Sequence, residues 1–316
     1  MSELLKVLSA ATGLGDFDLR VIINNAPDRY KVYPIDKRRG GQREIAQPAR
    51  ELKALQRALT HAILSALPIH STATAYRPGT GIRQNAQAHA HNGPILKFDF
   101  KDFFPSIRAE DWKKYCQKHN LFQNEEDIDL SSNILFRRAS RNSSVLRLAI
   151  GAPSSPYISN ILLFDFDTKM ENYCISQNVK YTRYADDLTF SAPRTGFLTG
   201  IPRALNNIIK NIDSPRLKLN SEKTVLATKK YKRMVTGLIL TNDGNVSIGQ
   251  VRRKKIRSGV HRWTLGELSN SEACRLAGHL SFAQDIEPNF IERLTVKYGA
   301  QVIKEIKLAY KQRKPE

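Results

Sequence analysis

Residues 181–190 read Tyr181-Thr182-Arg183-Tyr184-Ala185-Asp186-Asp187-Leu188-Thr189-Phe190. Strand-forming residues flank an Ala-Asp-Asp interruption, so Val179 to Ser191 is expected to fold as two strands around a tight turn. Asp is an ordinary turn residue, and an isolated Asp-Asp pair is more often structural than chemical. A third carboxylate in a matching context changes that reading. Asp99 closes the apolar run Pro94-Ile95-Leu96-Lys97-Phe98, which reads with Phe100 as a buried strand. If this strand pairs beside the hairpin, Asp99, Asp186 and Asp187 converge at one end of a sheet. Like charges gathered so closely are costly unless cations neutralise them. All-oxygen ligation selects magnesium, which takes one or two carboxylates and completes its shell with substrate phosphates. Two such ions suit an in-line phosphoryl displacement, because together they hold the attacking and the leaving oxygen.

Composition agrees with a polyanionic partner. The 316 residues carry 50 Lys and Arg against 30 Asp and Glu, a formal net charge of +20. Each phosphate met by a Lys or Arg releases condensed counterions, so nucleic acid is the first expected partner and an anionic membrane surface the second. Hydrophobic residues at 41% and charged residues at 25% exclude wholesale disorder. Lys6, Ser9 and Gly13 interrupt the N-terminus where a signal peptide needs a continuous apolar core. No window approaches the ~20 apolar residues of a spanning helix. Cys116, Cys174 and Cys274 are far apart and odd in number, which reads as buried small hydrophobes in a reducing compartment. A cytosolic, cytoplasmic protein is expected.

Working outward along the chain, Glu51 to Leu67 places Leu52, Leu55, Leu59, Ile63 and Leu67 on one helical face, between Pro48 and Pro68. Lys37-Arg38-Arg39-Gly40-Gly41-Gln42-Arg43 reads as a basic hairpin turn, and Ser155 to Tyr173 as helical. After Val246 the pattern becomes helical and basic, with Arg252, Arg253, Lys254, Lys255 and Arg257 crowded together. The Asn242-Asp243-Gly244-Asn245 run is a strong turn signal, and a domain boundary is expected there.

Three blocks, in order, resemble the polymerase motifs of reverse transcriptases. They are Asp99-Phe100-Lys101-Asp102-Phe103-Phe104-Pro105-Ser106-Ile107, then Gly151-Ala152-Pro153-Ser154-Ser155-Pro156, then Tyr184-Ala185-Asp186-Asp187. Lys37 to Gln56 precedes them as a fingers-type segment, and Leu217-Lys218-Leu219-Asn220-Ser221-Glu222-Lys223-Thr224 follows. Asn85-Ala86-Gln87-Ala88-His89 resembles the N-A-x-x-H motif of bacterial retron reverse transcriptases, and Val235-Thr236-Gly237 their V-T-G motif. The resemblance implies an α+β, right-hand polymerase architecture. Residues 1–245 would form fingers and a palm with an antiparallel sheet, and residues 246–316 a small, basic, helical thumb. It also implies an RNA-directed DNA polymerase.

Site roles follow from the same resemblance. Asp99, Asp186 and Asp187 are the expected catalytic, metal-holding carboxylates, with the Phe100 carbonyl completing one ion's shell. Phe104 falls where the family keeps an aromatic gate against the ribose 2′-hydroxyl; a core phenylalanine is the alternative, stronger for Phe103. Arg43 and Lys37 are expected to reach the triphosphate, although Lys37 also reads as a solvated basic turn. Lys223 matches a lysine held to protonate departing pyrophosphate, with a surface lysine as the alternative. Asn85, His89 and Thr236 are candidate RNA contacts; for Asn85 and His89 a structural hydrogen-bonding role competes. His89 and His91 lack companion ligands for zinc. Arg252, Arg253, Lys254 and Lys255 are expected to lie along a nucleic-acid backbone. Ile150 stands where many reverse transcriptases have Gln, which puts one template or nucleotide contact in doubt.

The stretch after Gly237 is expected to be too short for an appended ribonuclease H, so template removal falls to a host ribonuclease H. The resemblance further implies a cognate non-coding RNA as template and primer, 2′-hydroxyl priming, a branched RNA-linked single-stranded DNA product, deoxynucleoside triphosphates and an effector protein in antiphage defence. Rival readings are another bacterial reverse transcriptase branch, group II intron-like or diversity-generating, and a catalytically silent RNA-binding scaffold.

Overall fold

The structure, a computed structural model, describes residues 2–37, 40–140 and 142–309. Helices α1 (Glu3–Thr12) and α2 (Asp16–Asn25) precede strands β1 (Tyr30–Asp36) and β2 (Gln42–Pro48) and helix α3 (Arg50–Ala62). Helix α4 (Ile82–Ala90) leads into β3 (Ile95–Asp99), followed by α5 (Phe103–Ser106), α6 (Ala109–Lys118) and α7 (Glu125–Leu135). Strands β4 (Arg137–Arg138) and β5 (Leu146–Arg147) come before α8 (Ser155–Leu162), α9 (Phe164–Ser176), β6 (Lys180–Tyr184) and β7 (Asp187–Ser191). The remainder comprises α10 (Ile201–Lys210), β8 (Val225–Ala227), β9 (Arg233–Val235), β10 (Leu238–Leu240), β11 (Val246–Ser247), α11 (Gln250–Thr264), α12 (Asn270–Ile286), α13 (Pro288–Tyr298) and α14 (Ala300–Ala309). None of the described helices is long and apolar enough to cross a membrane.

The chain divides into two compact units, of which the first is Met1–Arg77, Leu96–Phe190 and Gly196–Val225. Its sheet has the strand order β6-β7-β3-β8, so the strand ending in Asp99 lies directly beside the second arm of the hairpin. Both β6 and β7 are buried along most of their length. Aromatic contacts hold the strands together: Phe98 meets Phe190 edge-on at 5.9 Å, and Tyr181 stacks on Phe190 at 5.1 Å. The expected helix from Glu51 ends earlier than its apolar spacing suggested. It buries Leu52, Leu55 and Leu59, stops at Ala62, and gives way to a 3₁₀ turn over Leu64–Ala66. Pro68 disfavours helical backbone at Leu67, which is extended at ψ 147°. The expected helix from Ser155 is likewise two helices, α8 and α9, meeting at Leu163.

Of the expected basic turn, Arg38 and Arg39 lie outside the described residues; its flanks belong to the antiparallel β1–β2 hairpin, where Ile35 pairs with Arg43 and Asp36 with Gln42. The hairpin's outer part is exposed, and its base is tied down where the Ala46 N–H donates to the Ile150 carbonyl at 2.8 Å. Gly151 follows at φ 120°, and a Cβ there would come within 2.9 Å of the Ala46 carbonyl oxygen. Only glycine allows that close approach.

The second unit is Pro78–Ile95, Ser191–Thr195 and Leu226–Glu316. Helix α4, the sheet β11-β10-β9 and helices α11 to α14 surround one apolar core, with Ala86, Leu238, Ile256, Leu280 and Phe290 among its members. Strands β9 and β10 are joined by Thr236-Gly237, both at positive φ (47° and 80°), as a two-residue hairpin turn of matching twist requires. The Asn242 to Asn245 turn closes the β10–β11 hairpin, with the Thr241 N–H donating to the Asn245 carbonyl at 2.9 Å.

Candidate active site

Two residues, Ala185 and Asp186, form the whole loop between β6 and β7. Ala185 adopts φ 56°, a left-handed conformation that costs an L-residue roughly 1–2 kcal/mol, so something must hold the turn. Two bonds do. The Phe100 N–H donates to the Asp186 carbonyl at 3.0 Å, and the Arg183 guanidinium donates to the Ala185 carbonyl at 3.3 Å. Arg183 is itself fixed, since it and Asp167 are fully buried and joined by three hydrogen bonds of 2.6–3.1 Å. The Tyr181 hydroxyl donates to Asp167 at 2.8 Å, and Arg183 also reaches the Asn160 side-chain carbonyl at 3.0 Å. Sequence reasoning missed this network. An arginine between buried strand residues is a visible signal, but its partners on α8 and α9 are set only by packing.

Asp99 is 6% exposed and receives the Lys223 ammonium at 2.8 Å. Beside it, Asp186 is pushed up to about 6, first by burial and then by the charges of Asp187 and Asp99. Asp187 is also raised, mainly by burial, with Lys97 opposing and Asp99 adding to the shift. The hydrogen bonds flanking Phe100 run from the Lys101 N–H to Lys218 and from the Asn220 N–H to Asp99, so this ladder leaves the Phe100 carbonyl out. Among the described residues, no three His, Cys, Asp or Glu side chains form a metal cage on their own. The donor set nevertheless fits a hard cation that brings its remaining ligands with it. It offers carboxylate oxygens under mutual repulsion, with Lys223 and Lys97 as counter-charges.

Phe103 and Phe104 separate in the structure. Phe103 is 4% exposed and stacks on Phe100 at 5.7 Å, a core position. Phe104 is half-buried, and its ring centre lies 6.5 Å from that of Tyr76. Tyr76 has its phenol raised by burial first, then by Asp186 and Tyr184, with Arg43 opposing. Phe104, Tyr76, Arg43 and the carboxylates therefore share one neighbourhood, and Tyr76 is a second residue that sequence reasoning did not single out. Lys37 is exposed, at the end of β1.

The other expected nucleic-acid contacts belong to the second unit. Asn85 and His89 have no exposed surface, which suits the structural hydrogen-bonding role. His89 Nδ1 shares a 2.6 Å hydrogen bond with the Ser191 hydroxyl, to which the Asn92 amide also donates at 2.8 Å. Thr236 is half-buried, and its hydroxyl donates to the Ile82 carbonyl at 3.0 Å, at the start of α4. The two segments singled out in the sequence thus meet: the Thr236 turn holds the helix that carries Asn85 and His89. On α11, Lys254 and Lys255 are exposed, whereas Arg252 lies over the Phe282 ring at 4.8 Å. Arg253 pairs with Glu287 and donates to the Ser247 hydroxyl at 3.0 Å.

Comparison with known proteins bears on this arrangement. A family described as "Reverse transcriptase (RNA-dependent DNA polymerase)" matches residues 35–240. The chain is 38% identical over 294 residues to the retron Ec83 reverse transcriptase of Escherichia coli, covering 92% of this chain and 94% of that one. It is 33% identical over 309 residues to the retron Ec86 reverse transcriptase of Escherichia coli, covering 95% and 92%. Among solved structures, apo telomerase from Candida tropicalis superimposes with a TM-score of 0.50 at 14% identity, over 91% of this chain and 58% of that chain. That last likeness speaks for the fold alone, which is the right-hand polymerase architecture.

Proposed function

The chain belongs to the reverse transcriptases, and within them to the retron group, and we propose that it copies part of a structured non-coding RNA into single-stranded DNA joined to that RNA through a 2′-hydroxyl. The observation that carries the reading is that Asp99, at the end of β3, lies beside Asp186 and Asp187, at the start of β7, where burial first and then its two neighbours raise Asp186. Asp99, Asp186, Asp187 and the Phe100 carbonyl would hold two magnesium ions. Such ions neutralise the growing charge of a phosphoryl displacement and steady its attacking and leaving oxygens. Phe104 orients the incoming sugar and blocks a 2′-hydroxyl, Arg43 and Lys37 hold the triphosphate, and Lys223 supplies a proton to departing pyrophosphate. Deoxynucleoside triphosphates are the substrates, the cognate RNA is both template and primer, and a host ribonuclease H removes the copied template. The wider role is antiphage defence in the cytoplasm with an effector protein. Primer extension on an RNA template with deoxynucleotides and magnesium tests the polymerase reading. Sequencing of the co-purifying nucleic acid tests the branched product; free DNA without an RNA branch would overturn that part.

A further inference from the structure

A groove of about 670 Å³ opens in the first unit, lined by Lys114 of α6, Ile209 and Lys210 of α10, and Ile212, Asp213, Arg216 and Leu217 of the segment that follows. It contains none of the residues assigned above to catalysis. The cations of α6 and of the groove differ in their partners. On α6, Lys113 pairs with Asp129 at 2.5 Å and Lys118 with Asp165 at 2.7 Å. Among the described residues, Lys114, Lys210 and Arg216 make no ion pair within 4.0 Å. The carboxylate of Asp111 on α6 is already engaged, by the Arg108 N–H at 2.7 Å and by the Ser214 hydroxyl. Three cations therefore face one carboxylate, Asp213, across a groove whose apolar residues are Ile209, Ile212 and Leu217. Lys and Arg stems lie along such surfaces while their charged heads stay in water. No aromatic ring lines the groove to stack a base, so an occupant would be held by its backbone charge and not read by sequence.

We infer that this groove is a second, non-catalytic docking track for the phosphodiester backbone of RNA. The inference rests on the reading of the chain as an enzyme that copies a structured RNA. An RNA of which only part is copied has an uncopied part, and anchoring that part away from the carboxylates leaves the reacting end free. The segment lining the groove is also continuous with the site: Arg216 and Leu217 run straight into Lys218 and Leu219, which bridge to Lys101 and Phe100. An RNA held here is tethered one strand away from the Asp99 carboxylate.

The test is the salt dependence of binding to fluorescein-labelled oligouridylate by the full chain carrying Lys114→Gln, Lys210→Gln and Arg216→Gln. Three lost phosphate contacts should reduce the slope of log K against log salt by about 2, so that the affinity lost between 50 and 200 mM salt becomes about twentyfold smaller. Extension of a generic annealed primer should stay near wild type. Asp213→Asn removes the opposing charge and should tighten binding, which keeps the inference testable if the triple variant folds poorly. As a charge control, Lys113→Gln with Lys118→Gln should change the slope little. Four results would each overturn the inference: an unchanged slope, an equal loss per charge in the control, a loss confined to oligodeoxythymidylate, or competition by oligoglutamate as strong as by oligouridylate. Absence of primer extension by the wild-type chain would instead remove the polymerase reading, and the two failures are separable.

Discussion

Asp186 sits where burial and two neighbouring carboxylates oppose its charge, and Lys223 and Lys97 offset part of that repulsion around the cluster. Asp186→Asn keeps the side chain's size and removes the charge. DNA synthesis should fall on the order of 10³-fold or more, as when one member of a catalytic electrostatic set is lost. RNA binding by gel shift should be nearly unchanged, and the thermal midpoint in chelator should rise, because a repulsive charge has gone. Near-normal synthesis by the variant would remove the carboxylate assignment. The two phenylalanines make a paired test. Phe104→Ala opens space beside Tyr76 and should raise the use of ribonucleotides relative to deoxynucleotides in single-nucleotide addition. Phe103→Ala, which strips a ring from the Phe100 stack, should cost about 3–5 kcal/mol of stability in urea unfolding and leave sugar preference alone.

The β6–β7 hairpin depends on an arginine it does not expose. Removing Arg183 alone strands Asp167 as a buried charge, which typically costs about 3–5 kcal/mol. Replacing both, as Arg183→Met with Asp167→Leu, exchanges the pair for apolar packing and should restore much of that stability. The Ala185 carbonyl still loses its donor. If Arg183 positions the turn, the double variant should melt near wild type yet polymerise slowly and need more magnesium for half-maximal rate; normal rate and magnesium demand would reduce the pair to a core element. The Thr236 turn is the second strained element. Thr236 is β-branched at φ 47°, a rare conformation, and its hydroxyl anchors α4. Thr236→Val and His89→Ala should therefore lower thermal stability and reduce cognate self-primed and generic primed synthesis in the same proportion. A selective loss of cognate priming would instead give these residues a part in RNA choice.

At the scale of the whole molecule, a net charge of +20 overstates the charge available to nucleic acid. On α11, Arg253 is consumed by Glu287, which is 12% exposed, and Arg252 by the Phe282 ring, while Lys254 and Lys255 face outward. Lys254→Gln with Lys255→Gln should weaken all RNAs together and reduce the salt slope by roughly 1.5, with no change in melting. Arg253→Gln should do the reverse, lowering the thermal midpoint with little change in slope. Filter binding across a salt series, read beside a melting curve, distinguishes them.

The sequence by itself determined the polymerase family, because that family's blocks stand in order along the chain, and it marked the strand–turn–strand pattern at Asp186 that the structure shows. It also determined the buried apolar faces, such as Leu52, Leu55 and Leu59, since side-chain period follows directly from backbone geometry. Tertiary structure alone decided that Arg183 braces the turn through Asp167, and it settled the burial of Phe103, Asn85 and His89 that the sequence had left open. It also decided which of the many lysines and arginines are already paired. Each of these depends on groups distant in sequence meeting in space. A local pattern records what a residue is and which face it takes, but burial and ion pairing belong to the partners that packing brings to it.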